Sequence, residues 1–123
     1  MNAAMPEAFA HGVALFNAGR FFEAHEAFED LLDEVEVDAR WDLLVALIQV
    51  AVGYHKWTSG HVGAARMLGL GRDKLAAFPD VAWGVDVGVL RARVAEDSVA
   101  AGRGENPGSR SPQLAMTVVD PPG

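Results

Sequence analysis

The sequence predicts an all-α protein, a compact bundle of about five helices. Three observations carry this. Apolar residues recur at three- and four-residue spacing along the first hundred positions. No part of that region alternates apolar and polar residues as a half-buried strand would. Half of the residues are hydrophobic but only 8% are aromatic, a set dominated by Ala, Leu and Val that suits closely packed helices.

Pro6 fits a first helical turn, where its missing N–H costs nothing. Phe9, Val13 and Phe16 then line one face, and Gly19 stands where a left-handed cap ends a helix. A second helix is expected from about Phe21 to Val35, with Phe21, Ala24, Phe28, Leu31, Leu32 and Val35 as its apolar stripe. A third, from about Ala39 to Thr58, is apolar nearly all round, with Asp42, Gln49 and Lys56 as its polar stripe. A helix that apolar needs neighbours on most sides, so it belongs at the centre. Ser59-Gly60 breaks it. A fourth helix is expected from about His61 to Phe78, with Pro79 after it, and Asp86 caps a fifth that carries Val87, Leu90 and Val94 on one face.

The chain divides into a helical domain, residues 1–101, and a tail, residues 102–123. Gly, Pro, Ser, Asn and Arg dominate the tail, which reads as disordered or weakly docked and dispensable for folding. Within it, Leu114 to Val119 can form a short strand or dock.

Composition removes several function classes. No cysteine is present, so disulfides, thiolate zinc sites and a cysteine nucleophile are excluded, which fits a reducing cytoplasm. Seventeen acids against ten bases give a formal charge of −7, which repels phosphate backbones, so no nucleic-acid partner is expected. Glu23, Glu26, Glu29, Asp30, Asp33, Glu34, Glu36 and Asp38 run without an intervening Lys or Arg. Such a run is ordinarily a solvated face, and otherwise a surface for a cation. No basic segment leads into an apolar one at the start, and the run Leu43 to Tyr54 is broken by Gln49 and too short for a membrane span. The serines lie at 59, 98, 109 and 111, none in a strand–turn–helix elbow, and Gly69-Leu70-Gly71 lies within a helical pattern instead of after a strand.

Two histidines remain as candidates for chemistry. His25 lies on or beside the apolar stripe of its helix, with Glu29 one turn on. A His and a carboxylate at that spacing can share a metal ion or make an ordinary hydrogen bond. The string His25-Glu26-Ala27-Phe28-Glu29 has a glutamate where the His-Glu-x-x-His zinc motif has its second histidine, so it is no metalloprotease signature. His55 falls near Leu44, Ile48 and Ala51. A histidine on an apolar face is more often a hydrogen-bonded core residue than a ligand. His11 and His61 carry no signal of their own. Trp41, Trp57 and Trp83 read as packing anchors.

The stretch Gly19-Arg20-Phe21-Phe22-Glu23-Ala24-His25-Glu26-Ala27-Phe28-Glu29-Asp30-Leu31-Leu32 resembles that of the domain of unknown function 309 family. So do Leu47-Ile48-Gln49-Val50-Ala51-Val52-Gly53-Tyr54-His55, Gly63-Ala64-Ala65-Arg66-Met67-Leu68 and Trp83-Gly84-Val85-Asp86-Val87. The resemblance covers about residues 7–98. It implies a compact all-helical domain of bacteria, archaea and plastids, and no established activity. The family's polar motif positions fall on Glu23 to Glu26, Glu29, Gln49, Tyr54 and His55. The first stretch also resembles the middle of a tetratricopeptide repeat, but nothing comparable recurs near residues 53–65.

The expectation is therefore an internal polar site built on His25, Glu29 and His55, with Glu26, Gln49 and Tyr54 in its pocket. It would bind a divalent metal or work by acid–base chemistry. The second and third helices should pack as an antiparallel hairpin, bringing the two imidazoles within about 7 Å of each other, with Glu29 beside them. The alternative is a helical interaction module, without catalysis, that meets a second copy or another protein through its surface.

Overall fold

The computed structural model describes residues 4–116. The order is α1 (Phe9–Asn17), α2 (Phe21–Leu31), a 3-10 turn (Leu32–Glu34), α3 (Ala39–Thr58), α4 (Ala64–Leu75), β1 (Val81–Ala82), β2 (Val85–Asp86) and α5 (Val87–Gly102). Among the described residues, five helices and one very short hairpin make a mostly helical bundle, as the apolar spacing predicts.

The helices begin and end for local reasons. Gly19 has φ +78°, the left-handed geometry that closes α1. Asp38 caps α3, its carboxylate accepting from the Arg40 N–H at 2.8 Å. The Arg40 guanidinium bonds the same carboxylate and draws it below the usual aspartate range. Asp86 caps α5 by accepting from the Val89 N–H at 3.3 Å.

Each helix buries the face its spacing marks. Phe9, Val13 and Phe16 of α1 and Phe21, Ala24, Phe28 and Leu31 of α2 are buried. The helix α3 buries eight residues, from Leu43 to Tyr54, and packs against both α2 and α4. Contact with α4 is close because a Cβ on Gly71 would meet Val50 Cγ2 at 2.6 Å, and one on Gly53 would meet the Leu68 side chain at 2.8 Å. Small residues at both points let the two backbones approach.

Three boundaries differ from expectation. The second helix tightens into 3-10 geometry at Leu32 instead of running to Val35. The fourth starts at Ala64, after Gly63 with φ +92°, and stops at Leu75 before Phe78. The region read as strandless holds β1 and β2, joined by Trp83 at φ +48° and Gly84 at φ +78°. Positive φ at both central residues is what a two-residue hairpin turn needs, and the strands are too short to show alternation.

The described part of the segment after α5 turns back across the helices. The Trp57 Nε1–H donates to the Glu105 carbonyl at 2.9 Å, and the Arg93 guanidinium donates to the Arg110 carbonyl. Leu114 is 1% exposed, its N–H donating to Asn17 Oδ1 at 2.6 Å while Asn17 Nδ2 donates to its carbonyl at 3.1 Å. Met116 forms a bridge with Val85. Residues 117–123, including the rest of the strand considered for Leu114 to Val119, lie outside the described residues.

Candidate functional site

His25 lies at the margin of α2. At about 100° per residue its side chain points roughly a right angle away from the buried stripe. His55 takes the corresponding position on α3, just past the edge of the buried arc at Leu44 and Ala51. The two margins meet over a groove of about 260 Å³ lined by Phe22, His25, Val52, His55, Lys56 and His61. The phenyl ring of Phe22 touches both imidazoles, with centroids 4.8 Å from His25 and 5.2 Å from His55. His61 lies beside His55 at 6.3 Å.

The groove is at the surface rather than in the interior. Phe22 is 50% exposed and His61 is exposed, whereas the His25 side chain retains 15% exposure. The reason is the helix geometry just given: residues at the stripe's edge face the seam between helices, not the core.

The tautomer of His25 follows from its contacts. Its Nδ1 faces the Phe22 carbonyl, which can only accept, so Nδ1 carries the proton. A neutral His25 therefore presents an Nε2 lone pair. That nitrogen lies 3.9 Å from Glu29 Oε1, a carboxylate that is 54% exposed. Protonation would add a second N–H toward Glu29, and exposure to water keeps that pairing weak.

The remaining candidates lie elsewhere. Glu26 is exposed and does not line the groove. Gln49 is also absent from the lining, and its Oε1 is buried with no hydrogen-bond partner among the described residues. Tyr54 faces the other way. It is 1% exposed, its ring 5.3 Å from Phe21 and 6.1 Å from Phe16. Its hydroxyl donates to Asp97 Oδ2 at 2.5 Å, which also accepts from Arg93 Nε at 2.8 Å. Burial pushes the Tyr54 phenol far above its ordinary range, and the Asp97 hydrogen bond and charge push it the same way. Tyr54 thus belongs to a part-buried polar triad on α3 and α5.

The metal version of the site lacks support. Among the described residues, no three His, Asp or Glu side chains converge as a metal ion would need. His25 and Glu29 alone supply two ligands.

Two groups escaped the sequence reading. His61 looked like a helix-end residue, yet the turn before α4 folds it onto His55. Arg93 and Asp97 are an i, i+4 pair on α5, a visible signal, but nothing in the sequence tied them to Tyr54.

The fold and the groove define a small all-helical domain with a histidine-lined seam between its second and third helices. Residues 9–68, the segment from α1 into α4, match the family model described as Domain of unknown function (DUF309), the family that the motifs of this segment resemble. The groove residues all fall within that span, whereas Trp83 to Val87 and the Arg93–Asp97 pair fall outside it. No curated protein matches the chain. Among the described residues, no helix is long and apolar enough to cross a membrane.

Proposed function

We propose that the seam between α2 and α3 is a small-ligand site that works by acid–base chemistry. His25 carries the proton, the Phe22 carbonyl orients its ring, Glu29 is near enough to pair with it once it is protonated, and His55 contacts the ligand. The observation that supports this best is the convergence of His25, His55 and His61, from three separate segments, on one groove. A backbone carbonyl that fixes Nδ1–H leaves Nε2 free to accept a proton, the arrangement of a general base. Lys56 adds a cation at the rim, so the ligand carries negative charge.

Histidine ring NMR with 15N labelling tests the reading, with inorganic phosphate as the probe. Neutral His25 should be the Nδ1–H tautomer, and phosphate should move the signals of His25, His55 and His61 along one saturation curve. An Nε2–H tautomer at His25, or three unrelated responses, would sink the site and leave the interaction module as the better account.

A further inference from the structure

A second groove opens about 20 Å from His55, at the other end of α3. Its volume is about 690 Å³, within the range of small-molecule sites. Phe78, Val81, Ala82 and Trp83 give it an apolar wall, and Asp42 and Lys74 face it from α3 and α4. That wall is held in place. Arg91 donates to the carbonyls of Leu75 and Phe78 at 3.1 and 3.2 Å and to Asp80 Oδ1 at 2.8 Å, fixing the turn that carries Phe78.

Two features point to a ligand. Trp83 occupies a left-handed position, φ +48°, where Gly, Asn or Asp would sit without strain. Strain of this kind persists where the side chain is needed, and here the side chain is groove wall. Lys74 is half-buried and has neither a hydrogen bond nor an ion pair among the described residues. Among those residues it is the one cation in the groove's lining, and an ammonium at the edge of an apolar wall suits a ligand with an anionic head and an apolar body. Asp42 faces the same groove but is exposed, so water screens it.

We propose that this groove binds an apolar carboxylate, its hydrocarbon body against Phe78, Val81 and Trp83 and its carboxylate on Lys74. The proposal stands apart from the histidine seam, which has a different lining and a different end of the bundle.

The test is calorimetric titration of the full chain with decanoate below its micelle concentration, beside decanol and decyltrimethylammonium as probes of the same chain length. Decanoate should saturate one site and bind about tenfold more tightly than decanol, the worth of about 1.4 kcal/mol. Lys74→Gln should remove that preference while leaving the melting temperature in place, and Asp42→Asn should leave it intact or raise it. Trp83→Gly should weaken decanoate and decanol alike while relieving the turn. Equal affinity for decanoate and decanol, tighter binding of the cation, or a preference that survives Lys74→Gln would each overturn the proposal. Absence of saturation would too, as would a dimer in sedimentation that decanoate leaves unchanged, since the groove would then be covered by a second copy.

Discussion

Tyr54 and His55 are neighbours on α3, and they inhabit opposite environments. Tyr54 is walled in by Phe16 and Phe21 and tied to Asp97. His55 lies in an open seam against a half-exposed Phe22. One step along a helix turns the side chain by about 100°, enough to cross from core to seam. Residues that are adjacent in a motif therefore need not share a site, and the two sides should respond differently to change.

The sealed side should be fragile. Phe28 is fully buried, with its ring 5.7 Å from that of Phe9. Phe28→Ala should cost about 3–5 kcal/mol in urea unfolding, because the cavity cannot collapse around a bulky ring. An unchanged midpoint would mean that the core is not where the stripe puts it.

The returning segment belongs to the sealed side as well. We propose residues 1–101 as the helical domain, with the segment from 102 to 116 strapped across it. A chain ended at Gly102 loses the burial of Leu114 and its paired hydrogen bonds with Asn17, and should lose about 2–4 kcal/mol. Equal stability of the two chains would show that the tail is dispensable, as its composition alone suggests.

Tyr54 offers a sharper test, since it is the only tyrosine. Its raised pKa means that the folded state keeps the phenol protonated when an unfolded chain has already lost the proton, above about pH 10. The stabilisation is complete below that pH and is lost as pH rises through the folded value. Absorbance of tyrosinate should appear only with alkaline unfolding followed by circular dichroism. Tyrosinate forming near pH 10 in the folded protein would break the triad assignment. Tyr54→Phe should cost about 1–2 kcal/mol, the value of a part-buried hydrogen bond to a charged group.

The seam should tolerate change best. His25→Ala and His55→Ala should each shift stability by less than about 1 kcal/mol, because the groove is open and Glu29 remains in water. A loss as large as that of Phe28→Ala would make the two histidines core residues, and the comparison would fail.

The helical part of this fold was legible because its signals are local. Ser59-Gly60 after Thr58 ends α3, and its nearly continuous apolar surface placed it centrally. The ends of α4 were not legible, since His61-Val62-Gly63 has helix-compatible residues and only Gly63 in its left-handed geometry shows the break. The hairpin hid because two-residue strands have no period, although glycine at the second turn position was a clue. At the site, the sequence marked His25 and His55, which line one groove, whereas Glu29 stands one turn along from His25 and outside that lining. It put Tyr54 with them through motif adjacency, and it left out His61, whose position depends on a turn rather than on a helical wheel.

Asn17 and Leu114 clasp each other across 97 positions of chain. The other helices meet mostly near neighbours in sequence, so they can assemble while the chain is still emerging during synthesis. The clasp cannot. Closing so long a loop carries an entropic toll that only a preformed partner surface can offset, and that surface includes α1, made well before Leu114. Asn17 therefore keeps its amide in water until Leu114 arrives, and the nascent chain stays open along that edge until then.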